Sequence, residues 1–181
     1  EFELEKNIKK IIEQNNPASE GLCFLGGGSY DHYIPKIVDF IASRSEFYTA
    51  YTPYQSEVSQ GTLQYLFEFQ SMICELSGMD VANASLYDGA SAVAEACSLA
   101  INTTRKKKIA VSSCINPIYL KVLNTYIQNR EVQVDILSSK EGVTDISQIK
   151  SIKDDYAAIL VQSPNYYGLL EDISKFKIND T

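Results

Sequence analysis

Residues 48–61 concentrate the side chains best suited to binding chemistry. The run YTAYTPYQSEVSQG holds three tyrosines (Tyr48, Tyr51, Tyr54), two threonines, two serines, two glutamines and one carboxylate, Glu57. Neither a helical nor a strand period of apolar residues passes through it, so it is expected to be irregular. Thr52-Pro53 biases the backbone there away from helix. A tyrosine brings a flat apolar face with a hydrogen-bonding tip, and the amides and hydroxyls add donors and acceptors. Such a loop suits the wall of a polar pocket. Tyr51, Tyr54, Gln55 and Glu57 are the candidates for that role. The competing reading is a surface loop with incidental tyrosines, since loops carry function often but not always.

A second cluster is Asp88-Gly89-Ala90-Ser91, followed by Ala92, Ala94, Ala96, Cys97 and Ala100. The small residues predict a helix that can pack closely on a sheet. Its start offers backbone N–H groups, a hydroxyl and the positive end of the helix dipole, a combination that can hold a phosphate. Many helices begin this way, so the signal alone is weak. Gly26-Gly27-Gly28 marks a sharp turn or a close backbone approach. It is not the dinucleotide fingerprint, because the spaced third glycine is missing. His32 is the sole histidine and precedes a helix that Pro35 opens, with Ile37, Val38 and Ile41 as its apolar stripe. Capping or loop packing by Asp31 and His32 fits that place better than catalysis.

Composition limits the alternatives. A chain of 181 residues, 45% hydrophobic, fits one domain or a piece of one with a real core. A net charge of -7 argues against nucleic acid and against an anionic membrane surface. Cys23, Cys74, Cys97 and Cys114 are widely spaced, which indicates neither a zinc site nor a redox pair; they read as buried, reduced thiols of a cytoplasmic protein. No apolar run approaches the ~20 residues needed to span a bilayer. The acidic start is no signal peptide, and without an initiator methionine the chain reads as a processed or partial one.

The positioning elements follow from periodicity. Amphipathic helix is expected over residues 2–14. A core helix is expected over residues 61–77, with Ser59 as N-cap, Gly78 as stop, and an apolar face of Leu63, Leu66, Phe67, Ile73 and Leu76. Residues 108–112 and 132–137 read as strands flanking a helix that Pro117 begins. A short helix is expected over 146–152. Residues 156–162 (YAAILVQ) read as a central parallel strand covered on both faces. Alternating strands and helices predict parallel α/β architecture. Ligands in such sheets sit beyond the carboxyl ends of the strands, where the loops 113–117 and 163–168 fall. Two parts are expected: residues 1–60, with N-terminal helices and the tyrosine loop, and residues 61–181, an incomplete large domain.

Several blocks in order carry a family resemblance. They are FLGGGSYDHYIPKIVDFIASRSEFYTAYTPYQ (residues 24–55), which runs into SEVSQG, then FEFQSMICELSGMDVANASLYDGASAVAEA (67–96) and VQSPNYYGLLEDI (161–173). Together they closely resemble the glycine dehydrogenase (decarboxylating) P-protein of the glycine cleavage system. GGGSYDHYIP resembles its amino-terminal half, made in many bacteria as a separate subunit 1. The resemblance implies the aspartate-aminotransferase (pyridoxal-phosphate fold type I) architecture and pyridoxal 5'-phosphate as cofactor. It implies glycine as substrate, with decarboxylation and aminomethyl transfer to the lipoylated H-protein. It also implies a subunit 2 as partner, in a heterotetramer.

For individual residues, the resemblance implies that Tyr51, Tyr54, Gln55 and Glu57 shape a pocket or a wall of the partner's active site. Gly89, Ala90 and Ser91 become a phosphate-type turn, occupied or vestigial. Asn116 stands where the family commonly has histidine, whose ring stacks on the cofactor in the catalytic half. Asparagine has no aromatic face and cannot replace it, which puts autonomous catalysis by this half in doubt. The Schiff-base lysine and the carboxylate facing the pyridine nitrogen come later in this fold than residue 168, so neither is expected in this chain. Two other readings stay open. One is a non-catalytic scaffold subunit that completes the partner's active site and docks the lipoyl carrier. The other is an unrelated enzyme of the same fold.

Overall fold

The computed structural model describes residues 1–17, 20–24, 32–148 and 155–176. The chain divides into two compact units, residues 1–64 and 65–181. The glycine run, Asp31 and the second half of the helix expected over 146–152 lie outside the described residues.

The first unit is helical and loop-rich. Helix α1 spans Phe2–Ile12, with Glu3 and Glu5 in its first turn and Lys9 and Lys10 in its last, both signs complementing the helix dipole. Helix α2 spans Lys36–Ala42, with Pro35 as its N-cap residue, and α3 spans Ser45–Tyr48. None of the three buries a residue.

Helix α4, Gln60–Ser77, begins after Ser59, whose carbonyl accepts from the Leu63 N–H at 3.0 Å. Gly78 ends it with φ +70, donating to the Cys74 carbonyl at 2.8 Å. Only glycine adopts that conformation without cost. The expectation of a core helix is corrected here: α4 buries none of its residues, and Phe67 is 70% exposed. Periodicity fixes which side chains share a face, not what covers that face.

In the second unit, helix α5 (Gly89–Thr104) leads to β1 (Lys108–Ser112). Helix α6 (Pro117–Ile127) then connects to β2 (Gln133–Leu137). Strand β5, Ala158–Leu160, completes a parallel sheet of order β2-β1-β5, with Val111 opposite both Ile136 and Leu160. The pleat of β1 separates two cores. Ile109 and Val111 pack with Ala94, Cys97 and Ile101 of α5 and Leu123 and Ile127 of α6. Ala110 faces the other way, toward Leu137, Ile159 and Phe176. Ile109, Val111 and Leu123 are fully buried, each contributing about 1.5–3 kcal/mol of hydrophobic stabilisation.

The expected place of the last strand is corrected in this unit. The strand covered on both faces is β1; β5 pairs only with β1 among the described strands and is half-buried. An apolar run cannot by itself distinguish a centre from an edge. Of the helix expected over 146–152, the described residues form a 3₁₀ turn, Ile146–Gln148, and the rest lies outside the described residues. A hairpin that no periodic signal announced joins β3 (Ser139–Lys140) to β4 (Val143–Thr144). Its turn residues Glu141 and Gly142 have φ +54 and +81, the left-handed pair of a type I′ turn. The cysteine reading holds for Cys97 and Cys114, which are buried. It fails for Cys23, which is exposed, while Cys74 is intermediate.

Candidate functional site

The tyrosine stretch is irregular over residues 49–59, while Tyr48 ends α3 and Gln60 and Gly61 open α4. The Tyr54 N–H turns back to the Thr52 carbonyl at 2.9 Å, around Pro53. The Gln55 carbonyl accepts from Val58 at 3.2 Å and Ser59 at 3.0 Å, a turn that feeds α4. Tyr51 and Tyr54 are each 85% exposed, and Gln55 and Glu57 are exposed too. The four side chains therefore form an open polar surface of the first unit rather than a closed cavity within it. His32 is exposed.

In the second unit, the start of α5 lies beside the start of α6, which follows the carboxyl end of β1, because Tyr119 of α6 packs over Gly89. The turn there is closed by its own neighbours. Asp88 caps α5, its Oδ1 accepting from the Ser91 N–H at 2.7 Å. That bond holds the Asp88 carboxyl below its ordinary range. Above Gly89 stands Tyr119 of α6, its hydroxyl 2.6 Å from where a Cβ on Gly89 would lie. Ala90 is buried and Ser91 is half-buried.

Asn116 is the N-cap of α6. Its Oδ1 accepts from the Ile118 N–H at 2.9 Å, and its own N–H donates to Gln162 Oε1, beyond the end of β5, at 2.8 Å. Three residues on, Tyr119 reaches Gly89. Gly89 and Asn116, far apart in sequence, thus lie at one end of the sheet and are joined through a single side chain.

Behind Asn116 lies a buried polar cluster that the residue types alone did not reveal. The Glu171 carboxylate accepts from the Thr144 N–H with both oxygens at 3.1 Å. Its Oε1 also accepts from Thr144 Oγ1 at 3.1 Å and Asn165 Nδ2 at 3.0 Å. Ser112 Oγ meets Thr144 Oγ1 at 2.7 Å and accepts from the Cys114 N–H at 3.0 Å. Asn165 Oδ1 accepts from the Tyr167 and Leu169 N–H groups at 3.0 and 3.1 Å. Among the described residues no buried side-chain polar atom is left without a partner. A Glu-Gly pair between short polar-apolar segments at 139–144 was the one available hint, because it marks the hairpin that brings Thr144 to this place.

The family model of the glycine cleavage system P-protein matches residues 1–179. The chain belongs to that family. It is 53% identical over 175 residues to the probable glycine dehydrogenase (decarboxylating) subunit 1 of Bacillus thuringiensis subsp. konkukian (strain 97-27), covering 96% of this chain and 39% of that protein. The same figures hold for the probable subunit 1 of Bacillus cereus (strain ATCC 10987 / NRS 248). A crystal structure of glycine decarboxylase (P-protein) of the glycine cleavage system, in inhibitor-bound form, superposes with a TM-score of 0.85. It is 41% identical and covers 97% of this chain and 39% of that one. The chain therefore spans about two fifths of the length of these P-proteins. The expected fold class, α/β with a parallel sheet and flanking helices in the fold type I architecture, is that of this P-protein structure. Among the described residues no helix is long and apolar enough to cross a membrane.

Whether this chain could hold the family's cofactor is a question of donors. A phosphate at the start of α5 needs free N–H groups and space. Here Asp88 takes the Ser91 N–H and places a negative charge at that point, and Tyr119 fills the space above Gly89. The Asn116 amide oxygen is committed to α6. With the Ser91 N–H taken, a carboxylate beside it and a phenol over Gly89, the residues as arranged do not fit a bound phosphate.

Proposed function

We propose that this chain is part of subunit 1 of a glycine cleavage system P-protein, acting in glycine decarboxylation and aminomethyl transfer to the lipoyl group of the H-protein. The observation that carries the proposal is the family match over residues 1–179 joined to the structural match over 97% of the chain. The chain acts with a subunit 2 in a cytoplasmic heterotetramer. Pyridoxal 5'-phosphate, held by a lysine outside this chain, supplies the electron sink for decarboxylation. Residues 1–60 carry the helices and the tyrosine loop, and residues 61–181 form the incomplete large domain.

Within that reading, Tyr51, Tyr54, Gln55 and Glu57 form a polar wall presented to the active site of the complex. Their exposure supports a surface that is completed by something else. Gly89, Ala90, Ser91 and Asn116 are on this reading a vestigial phosphate-type turn, with Asp88 and Tyr119 standing where a phosphate would sit. The experiment is glycine–bicarbonate exchange by the full complex with Tyr54→Phe or Glu57→Gln in this subunit. A loss of rate is expected in each, and unchanged rates in both remove the loop from the reaction.

The Asp88 cap and the filled space at Gly89 favour a second reading, a non-catalytic subunit that orders its partner and docks the lipoyl carrier. Pyridoxal phosphate added to this polypeptide alone should produce no Schiff-base absorption band on either reading, because the lysine lies outside this chain, whereas a band would overturn the scaffold reading.

A further inference from the structure

We infer that Glu171 is a positioning residue that sets the turn carrying Asn116, a role that rests on the function proposed above. Glu171 is buried, and the ion pairs of the described residues, Arg44–Glu46 and Lys107–Glu131, do not include it. Its partners there are N–H and O–H donors instead. An acid kept inside at the carboxyl end of a sheet is costly unless its oxygens are served, and here Oε1 takes three donors while Oε2 shares the Thr144 N–H with it.

The direction of every bond follows from the carboxylate being an acceptor only. Thr144 Oγ1 must give its proton to Glu171. It therefore has only lone pairs to offer Ser112, whose hydroxyl donates to it. The Ser112 oxygen is left to accept the Cys114 N–H. A second route leaves the same carboxylate through Asn165. The Asn165 amide donates to Glu171 Oε1 and to the Gly142 carbonyl at 2.8 Å. The next residue, Tyr166, donates its N–H to the Cys114 carbonyl at 2.9 Å. Both faces of the Cys114 residue, its N–H and its C=O, are thus held from one side chain by two paths. Cys114 stands two residues before Asn116, and Asn116 in turn starts the helix whose Tyr119 covers Gly89.

A carboxylate with this wiring does not touch the reacting atoms. It fixes the backbone from which Asn116 and α6 project, and small misplacements of groups at the carboxyl end of the sheet are expensive in rate. The two routes also explain why hairpin β3–β4 exists here: it delivers the Thr144 N–H and hydroxyl and the Gly142 carbonyl to one point.

The test uses the full-length subunit in its two-subunit complex. Glu171→Gln places an NH₂ against the Thr144 N–H, and Thr144→Val removes the hydroxyl path alone; Thr144→Ser restores it. Hydrogen exchange read by mass spectrometry should rise about tenfold in residues 112–116 of the first two variants, and in 163–169 of Glu171→Gln alone. Residues 109–111 should stay protected, and Thr144→Ser should match the unmodified complex. In glycine–bicarbonate exchange, kcat should fall about tenfold in the first two variants, with KM for glycine within about threefold. Unchanged local exchange overturns the inference. So does a rise spread equally through 109–111, which marks a merely structural role, or a local rise with kcat unchanged. If Glu171→Gln fails to assemble, Thr144→Val against Thr144→Ser decides. An unmodified complex without glycine exchange sinks the proposed function instead, and the hydrogen-exchange arm still reads whether Glu171 holds the turn.

Discussion

The Tyr119 hydroxyl stands 2.6 Å from the point where a Cβ on Gly89 would lie, with the ring carbon behind it at 3.1 Å. Real side-chain carbons do not come so close, so a methyl group there must push the phenol aside. Gly89→Ala also gains helix propensity, and that gain is small in a first turn. The clash should win, with a net loss of about 1 kcal/mol of stability. In a Tyr119→Phe background the nearest atom is gone, and the same substitution should cost clearly less. Urea unfolding of the four proteins of this cycle checks it. Costs that add within about 0.3 kcal/mol would show that the two residues do not meet.

The cap of α5 makes a pH prediction. The hydrogen bond from the Ser91 N–H holds the Asp88 carboxyl below its ordinary value of 3.8. A carboxyl lowered in the folded state favours folding above its unfolded value and loses that contribution as pH falls through the folded one. Asp88→Asn keeps an oxygen acceptor and should stay close to the unmodified protein at pH 7, while flattening the loss of stability below about pH 4. Asp88→Ala should lower Tm at pH 7 and also lack the acid slope. Thermal unfolding between pH 3 and 7 separates the three.

How much of this was legible in the sequence depends on the range of the signal. Strand β1 was read at its observed bounds, 108–112, because its apolar run is short and bracketed by polar residues. Helix α5 was legible because Asp88 and the small residues after it form a local start signal. Covering surfaces were not legible: α4 has a helical stripe, yet Phe67 and Leu76 remain exposed. The Glu171 cluster was missed for a related reason. Ser112, Thr144, Asn165 and Glu171 are ordinary surface types, spread over some sixty positions, and only the sheet and hairpin bring them together. The candidate residues Gly89 and Asn116 were named from resemblance, and their link through Tyr119 was beyond any local pattern.

The four thiols should separate by burial. Cys97 is packed between α5, β1 and α6, and burial pushes its thiol up from the ordinary value. Cys114 is also buried, and Cys23 is exposed. Limited alkylation of the native protein at pH 8 should mark Cys23 first and leave Cys97 and Cys114 unmodified until denaturant is added. Peptide mapping by mass spectrometry reads the order. Labelling of Cys97 at the rate of Cys23 would contradict the packing of α5 on the sheet.

The last prediction concerns Tyr156, at the entrance to β5, and Asp135 of β2. The Tyr156 hydroxyl donates to Asp135 Oδ2, and this bond is the main reason the phenol is pushed up to about 12 from an ordinary 10. The same bond lowers the Asp135 carboxyl. A phenol raised in the folded state favours folding below its unfolded value, and that contribution disappears as pH climbs from about 10 toward 12. The carboxyl acts in the opposite window: its contribution is present above 3.8 and fades as pH drops through the lowered value. Asp135→Asn leaves an acceptor without charge, so Tyr156 should titrate nearer 10. The phenolate absorbance of each protein, minus that of the matching Tyr156→Phe variant, isolates this one tyrosine from the other eleven. A Tyr156 titration that Asp135→Asn leaves unmoved would mean that the bond spanning β2 and β5 does not form in solution.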